Sequence, residues 1–185
     1  MRDVEFPQHL SPHTAKDDLT ALDAEQLARG YQCGEFDPLQ VTRAVLDRIE
    51  RLNPLVNAYV HVAHDTALEE ARKSTQRWQA GKPLSPLDGI PTSLKGLTDV
   101  AGMPARAGSL ITPATPCQQD APPVRRLREA GAILLGKTNT PEFGWKAVTD
   151  NLVHGTTSNA WNTELTPGGS SGGAATAAAL NLGVL

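Results

Sequence analysis

The stretch Ala132-Ile133-Leu134-Leu135, set between Gly131 and Gly136, constrains this chain more than any other. It is short for a helix. It also lacks the polar alternation of a half-solvated strand, so it reads as a strand buried on both faces within a parallel sheet. The residues before it, Val124, Leu127 and Ala130 after Pro122, follow a helical pattern. A helix leading into a doubly buried strand predicts an α/β architecture with helices covering a sheet. Gly89 to Lys95 reads as a second short strand that delivers Lys95 to a sheet end.

The first 80 residues are expected to be mainly helical. Residues 1–17 carry Pro7 and Pro12 without periodicity and read as a flexible arm; residues 18–185 read as one unit. Leu22, Leu27, Ala28 and Tyr31 share a helical face, and Gly34 suits the left-handed cap that ends it. Asp37-Pro38 is an N-cap followed by a proline at the first helical position. Leu39, Thr42, Leu46, Ile49 and Leu52 then mark an amphipathic helix, which Asn53-Pro54 is expected to stop. Its Asp47-Arg48-Ile49-Glu50-Arg51 segment reads as a solvated face. A third helix is expected from Asp65 to Ala80, closed by Gly81, and a last one from Gly173 to Leu182.

Of 185 residues, 17 are basic and 20 acidic, for a net charge of -3. That balance disfavours nucleic acid or an anionic membrane as the main partner. The two cysteines, Cys33 and Cys117, form no metal-binding spacing. The polar start lacks the apolar core of a secretory leader, and no apolar run is long enough to span a bilayer. A cytoplasmic protein is expected.

The most chemically suggestive stretch is Gly168-Gly169-Ser170-Ser171-Gly172-Gly173, just before the alanine-rich helix. Glycines around a serine allow positive φ and close backbone approach. A helix N-terminus that follows offers free N–H groups to a negative charge. A phosphate-binding loop would need Lys before the hydroxyl residue, and there is none here. The match to G-x-S-x-G suggests a nucleophile elbow, whose acid and histidine follow the serine. Only 14 residues follow Ser171, none of them Asp, Glu or His. Taken alone, the loop is equally a structural turn.

Three separated stretches decide the matter. They are Asp88-Gly-Ile-Pro-Thr-Ser-Leu-Lys95 with Asp99-Val-Ala-Gly-Met-Pro104, Gly131-Ala-Ile-Leu-Leu-Gly-Lys-Thr-Asn-Thr-Pro-Glu-Phe-Gly144, and Thr166-Pro-Gly-Gly-Ser-Ser-Gly-Gly173. In this order the chain resembles the N-terminal part of an amidase signature enzyme, and the likeness extends to Arg48-Ile-Glu-Arg-Leu-Asn-Pro54.

The resemblance implies a mixed α/β sheet flanked by helices, incomplete in this chain. It implies hydrolysis of carbon–nitrogen amide bonds by a Ser–Ser–Lys triad through an acyl-ester, without metal or organic cofactor. By position Lys95 is the lysine, and Ser170 is the middle serine, preceded in the family by a cis peptide bond. Ser171 becomes loop structure, and Gly144 falls where the family's backbone contacts substrate. The nucleophilic serine of the family lies in a later motif past Leu185. The 185 residues alone are therefore expected to be inactive and to fold marginally, the last helix lacking its sheet. The alternative is a non-catalytic module whose partner completes the sheet. Gly96 departs from the family, which commonly has Asp after the lysine.

The partner implied is a small-molecule amide, and a homo-oligomer is compatible. Glu142-Phe143-Gly144-Trp145 leans toward general bacterial amidases rather than the tRNA-linked subunit. Arg106 and Trp145 are open between pocket lining and packing. Thr138 and Asn139 are open between supporting the Ser170 loop and touching substrate. His154 receives no role.

Overall fold

The computed structural model describes residues 18–184; the arm expected over residues 1–17 lies outside them. Helices α1 (Ala24–Cys33), α2 (Pro38–Val56) and α3 (His64–Gln79) form the first layer, with strand β1 (Tyr59–Val62) between the last two. The starts of α1 and α2 are set by reciprocal capping. Asp23 accepts from Gln26 N–H at 2.8 Å while Gln26 Oε1 accepts from Asp23 N–H at 2.9 Å. Asp37 and Gln40 repeat the arrangement, with Pro38 at the first position. Each such cap contributes about 1 kcal/mol. Gly34 closes α1 at φ 70°, in the left-handed region that glycine tolerates best.

Two expectations fail in α2. Pro54 does not stop the helix, which runs to Val56 before Asn57 turns left-handed at φ 51°. Proline here removes one donor in the last turn, and the buried stripe of Leu52 and Val56 holds that turn against the core. Arg48 is not solvated either: it is 5 % exposed. Its Nε donates to the Leu180 carbonyl at 2.6 Å and its Nη1 reaches Asp18 at 3.4 Å.

Strands β2 (Pro91–Lys95) and β3 (Ile133–Thr138) are joined through α4 (Pro122–Glu129). The sheet order is β1-β3-β2, with β2 parallel and β1 antiparallel to the central strand. Hence the architecture is mixed α/β. The register of β2 on β3 slips by one residue: Thr92 pairs with Leu134 but Ser93 with Gly136. Every residue of β3 is buried, and the strand extends past the expected apolar run to include Lys137 and Thr138.

Ile133 and Leu135 pack into the main core with Val41, Val45, Ile49 and Leu182. Leu134 joins Val100, Met103 and Val124 in a second cluster, with Leu94 against it. The sheet is thus covered on both faces. Helix α5 (Gly172–Ala179) follows a small ribbon of β4 (Asp150–Asn151) and β5 (Gly155–Thr156). Helix α5 buries Thr176 and Ala177 on one side and leaves Ala175 and Ala178 exposed on the other, while Leu180 and Leu182 just beyond it enter the main core.

Candidate active site at the sheet rim

Parallel pairing of β2 with β3 brings the C-terminal ends of both strands to one rim, with Lys95 opposite Thr138. There Lys95 Nζ lies 2.7 Å from Ser170 Oγ, across 75 positions of sequence. Lys95 is half-buried, and burial pushes its pKa below the ordinary lysine value. Among the described residues no carboxylate forms an ion pair with it. The downward shift therefore comes from desolvation of its charged form.

The serine loop is held by threonines. The Gly169–Ser170 peptide bond is cis. Thr140 Oγ1 donates to the Ser170 carbonyl at 3.2 Å, and Thr149 Oγ1 donates to the Gly168 carbonyl at 2.9 Å. Thr149 Oγ1 in turn accepts from Gly172 N–H at 3.0 Å. The glycines are needed for space. A Cβ on Gly173 would sit 2.4 Å from the Asn139 nitrogen, and one on Gly169 would sit 2.8 Å from the Val148 backbone. Gly144 closes the site: it ends a 3-10 turn at φ 70°, and a Cβ there would lie 3.8 Å from Ser170 Oγ.

Lys95, Ser170 and Gly144 therefore converge. Thr138 and Asn139 do not bind the serine loop through their side chains. Thr138 Oγ1 donates to Leu94 O, and Asn139 bonds the ribbon through Gly155 O and Thr157 Oγ1. Thr140 and Thr149 take that role, a contact no local pattern reveals. Trp145 is 90 % exposed and packs into neither core. Arg106 and His154 instead line a small cavity beside the rim. Among the described residues no cluster of His, Cys, Asp or Glu has the makings of a metal site, and no helix is long and apolar enough to cross a membrane.

A mixed sheet carrying an amine–hydroxyl pair at its rim is the arrangement that the likeness to amidase signature enzymes leads one to expect. The match of the amidase family over residues 40–185 agrees, and the chain belongs to that family. It is 41 % identical over 162 residues to a glutamyl-tRNA(Gln) amidotransferase subunit from Thermobifida fusca, covering 88 % of this chain and 32 % of that protein. The corresponding protein of Salinispora arenicola is 43 % identical over 162 residues, covering 88 % and 33 %. The native peptide amidase of Stenotrophomonas maltophilia superposes with a TM-score of 0.80 at 36 % identity, covering 88 % of this chain and 35 % of that one. The chain thus spans about a third of the length of the curated relatives it matches. Amidases and tRNA-linked subunits both match, so the leaning drawn from residues 142–145 gains no support from identity.

Proposed function

We propose that residues 18–184 form the first part of a single amidase domain and supply the base and relay for hydrolysis of an amide carbon–nitrogen bond. The observation that carries this is the 2.7 Å approach of Lys95 Nζ to Ser170 Oγ beside a depressed lysine pKa. An unperturbed lysine is neutral in only about one molecule in 2,500 at pH 7, and moving its pKa to neutrality takes about 4.6 kcal/mol. Desolvation acts in that direction.

In this mechanism neutral Lys95 takes the proton of Ser170 Oγ, and Ser170 takes that of a nucleophilic serine. That serine lies outside the 185 residues. It attacks the amide carbonyl, the protons pass to the departing nitrogen, and the acyl-ester is hydrolysed by water. The Gly144 backbone borders the substrate, where its lack of a side chain leaves room above Ser170. The relatives, an amidotransferase subunit and a peptide amidase, are both named for chemistry at an amide nitrogen.

The test expresses the protein with the coding sequence that follows codon 185 and assays small amides. The longer protein should release amine or ammonia, and the 185 residues alone should not. Lys95→Ala in the longer protein should lower kcat by about 100- to 10,000-fold with KM little changed. Turnover within a few-fold of normal would remove Lys95 from the mechanism.

A further inference from the structure

The small cavity beside the rim is unusual for its charge. Its volume is about 90 Å³; Lys137, Arg106, His61, His154, Asn139 and Thr140 line it, among apolar residues and Gly96. No Asp or Glu lines it. Lys137 is 1 % exposed and donates one hydrogen bond, to the Pro104 carbonyl at 2.8 Å. An ammonium has three donors, so its capacity is not exhausted. The Arg106 Nε is buried without a partner, and its Nη2 makes one long contact, 3.4 Å, to the Ser109 carbonyl. Neither imidazole ring hydrogen-bonds any of the described residues.

A buried cation without a paired anion is costly, and so is a buried donor without an acceptor. Burial lowers the Lys137 pKa, and the weaker opposing influences come from Cys117 and Asp99, neither of which lines the cavity. Like-charge pressure is felt inside: Lys137 helps to hold the His61 pKa down, and Arg106 does the same for His154, each beneath the larger effect of burial.

From this geometry we infer that the cavity is a binding site for one small oxyanion, of carboxylate or phosphate type, held by Lys137 and Arg106 with the two histidines as further donors. The volume suits a single compact anion. Lys137 faces the side of the sheet that carries Leu94, whereas Lys95 is paired with Thr138 and meets Ser170. The anion site is therefore separate from the amine–hydroxyl pair, although Thr140 borders both.

Equilibrium dialysis of the 185-residue chain against radiolabelled acetate, and separately phosphate, tests this at fixed ionic strength in chloride. One equivalent of one of the two should bind, and which anion saturates distinguishes the carboxylate from the phosphate form. Arg106→Gln should weaken binding at least tenfold. Arg106 is only partly buried and outside both cores, and His154→Gln provides a second reading if that variant misfolds. In the bound state the ring-proton titrations of His61 and His154 should move to higher pH, because a nearby anion favours the imidazolium. Absence of saturable binding by either anion, or binding that both variants leave intact, would overturn the site.

Discussion

Lys95 shows how much one residue's chemistry depends on its surroundings. The neutral amine it must become is unavailable to arginine, which is not deprotonated in proteins. Lys95→Arg keeps the charge and the reach, yet in the longer protein it should lose as much activity as Lys95→Ala. A variant within tenfold of the parent would show that position 95 acts through charge alone. The pH dependence has a definite sign. Burial lowers the Lys95 pKa below the ordinary value near 10.4, so in the folded protein the neutral amine predominates above that lowered value. It is lost as pH falls through the folded value, and kcat/KM should fall about tenfold per unit below that point. The parts of the site differ in how they show in sequence. Lys95, Ser170 and Gly144 stand in motifs whose family resemblance names them. Thr140 and Thr149 are ordinary threonines whose partners lie 30 and 19 positions away. Lys137, at the polar end of an apolar run, gives no sign that it is buried.

At the scale of elements, caps announced themselves and strand edges did not. Gly34 and Asp37-Pro38 satisfy local backbone demands, so their residue types betray them. Strand β1 is four residues long, Tyr59–Val62, and exists through pairing with β3. A short strand held by tertiary contacts is hard to separate from loop by pattern. The Pro54 stop misleads because packing of the last turn outweighs one lost backbone bond. Gly136 offers a sharp test of the sheet. A Cβ there would meet the His61 carbonyl oxygen of β1 at 2.0 Å, an overlap with main chain that no side-chain motion relieves. Gly136→Ala should cost about 3 kcal/mol or more in urea unfolding, at or beyond the upper end of usual overpacking penalties. A change under 1 kcal/mol would mean β1 and β3 are not pressed together as described.

For the molecule as a whole, the tie between the helical layer and the sheet matters most. Asp88, fully buried just before β2, accepts from Arg77 Nε at 2.7 Å and Nη2 at 2.6 Å, from Ser74 Oγ at 2.7 Å and from Leu84 N–H at 2.8 Å. Burial alone raises its pKa; the bonds from Arg77, Leu84 and Ser74 outweigh that and hold the carboxyl below the usual range. A depressed carboxylate pKa gives stability present above the unfolded value, near 3.9, and lost as pH falls through the folded value. Asp88→Ala should therefore destabilise by about 3 kcal/mol at pH 7, roughly a 10 °C fall in Tm, with the deficit shrinking in acid. An unchanged melting curve would show that the layers are joined by apolar packing alone.

The slipped register between β2 and β3 also decides where two ammonium groups can sit. Were Leu135 paired with Ser93, counting onward would set Lys137 directly beside Lys95, on one face and one strand apart, where like charges repel. The surplus residue in the central strand turns Lys137 to the opposite side, so that a single layer of backbone insulates one amine from the other.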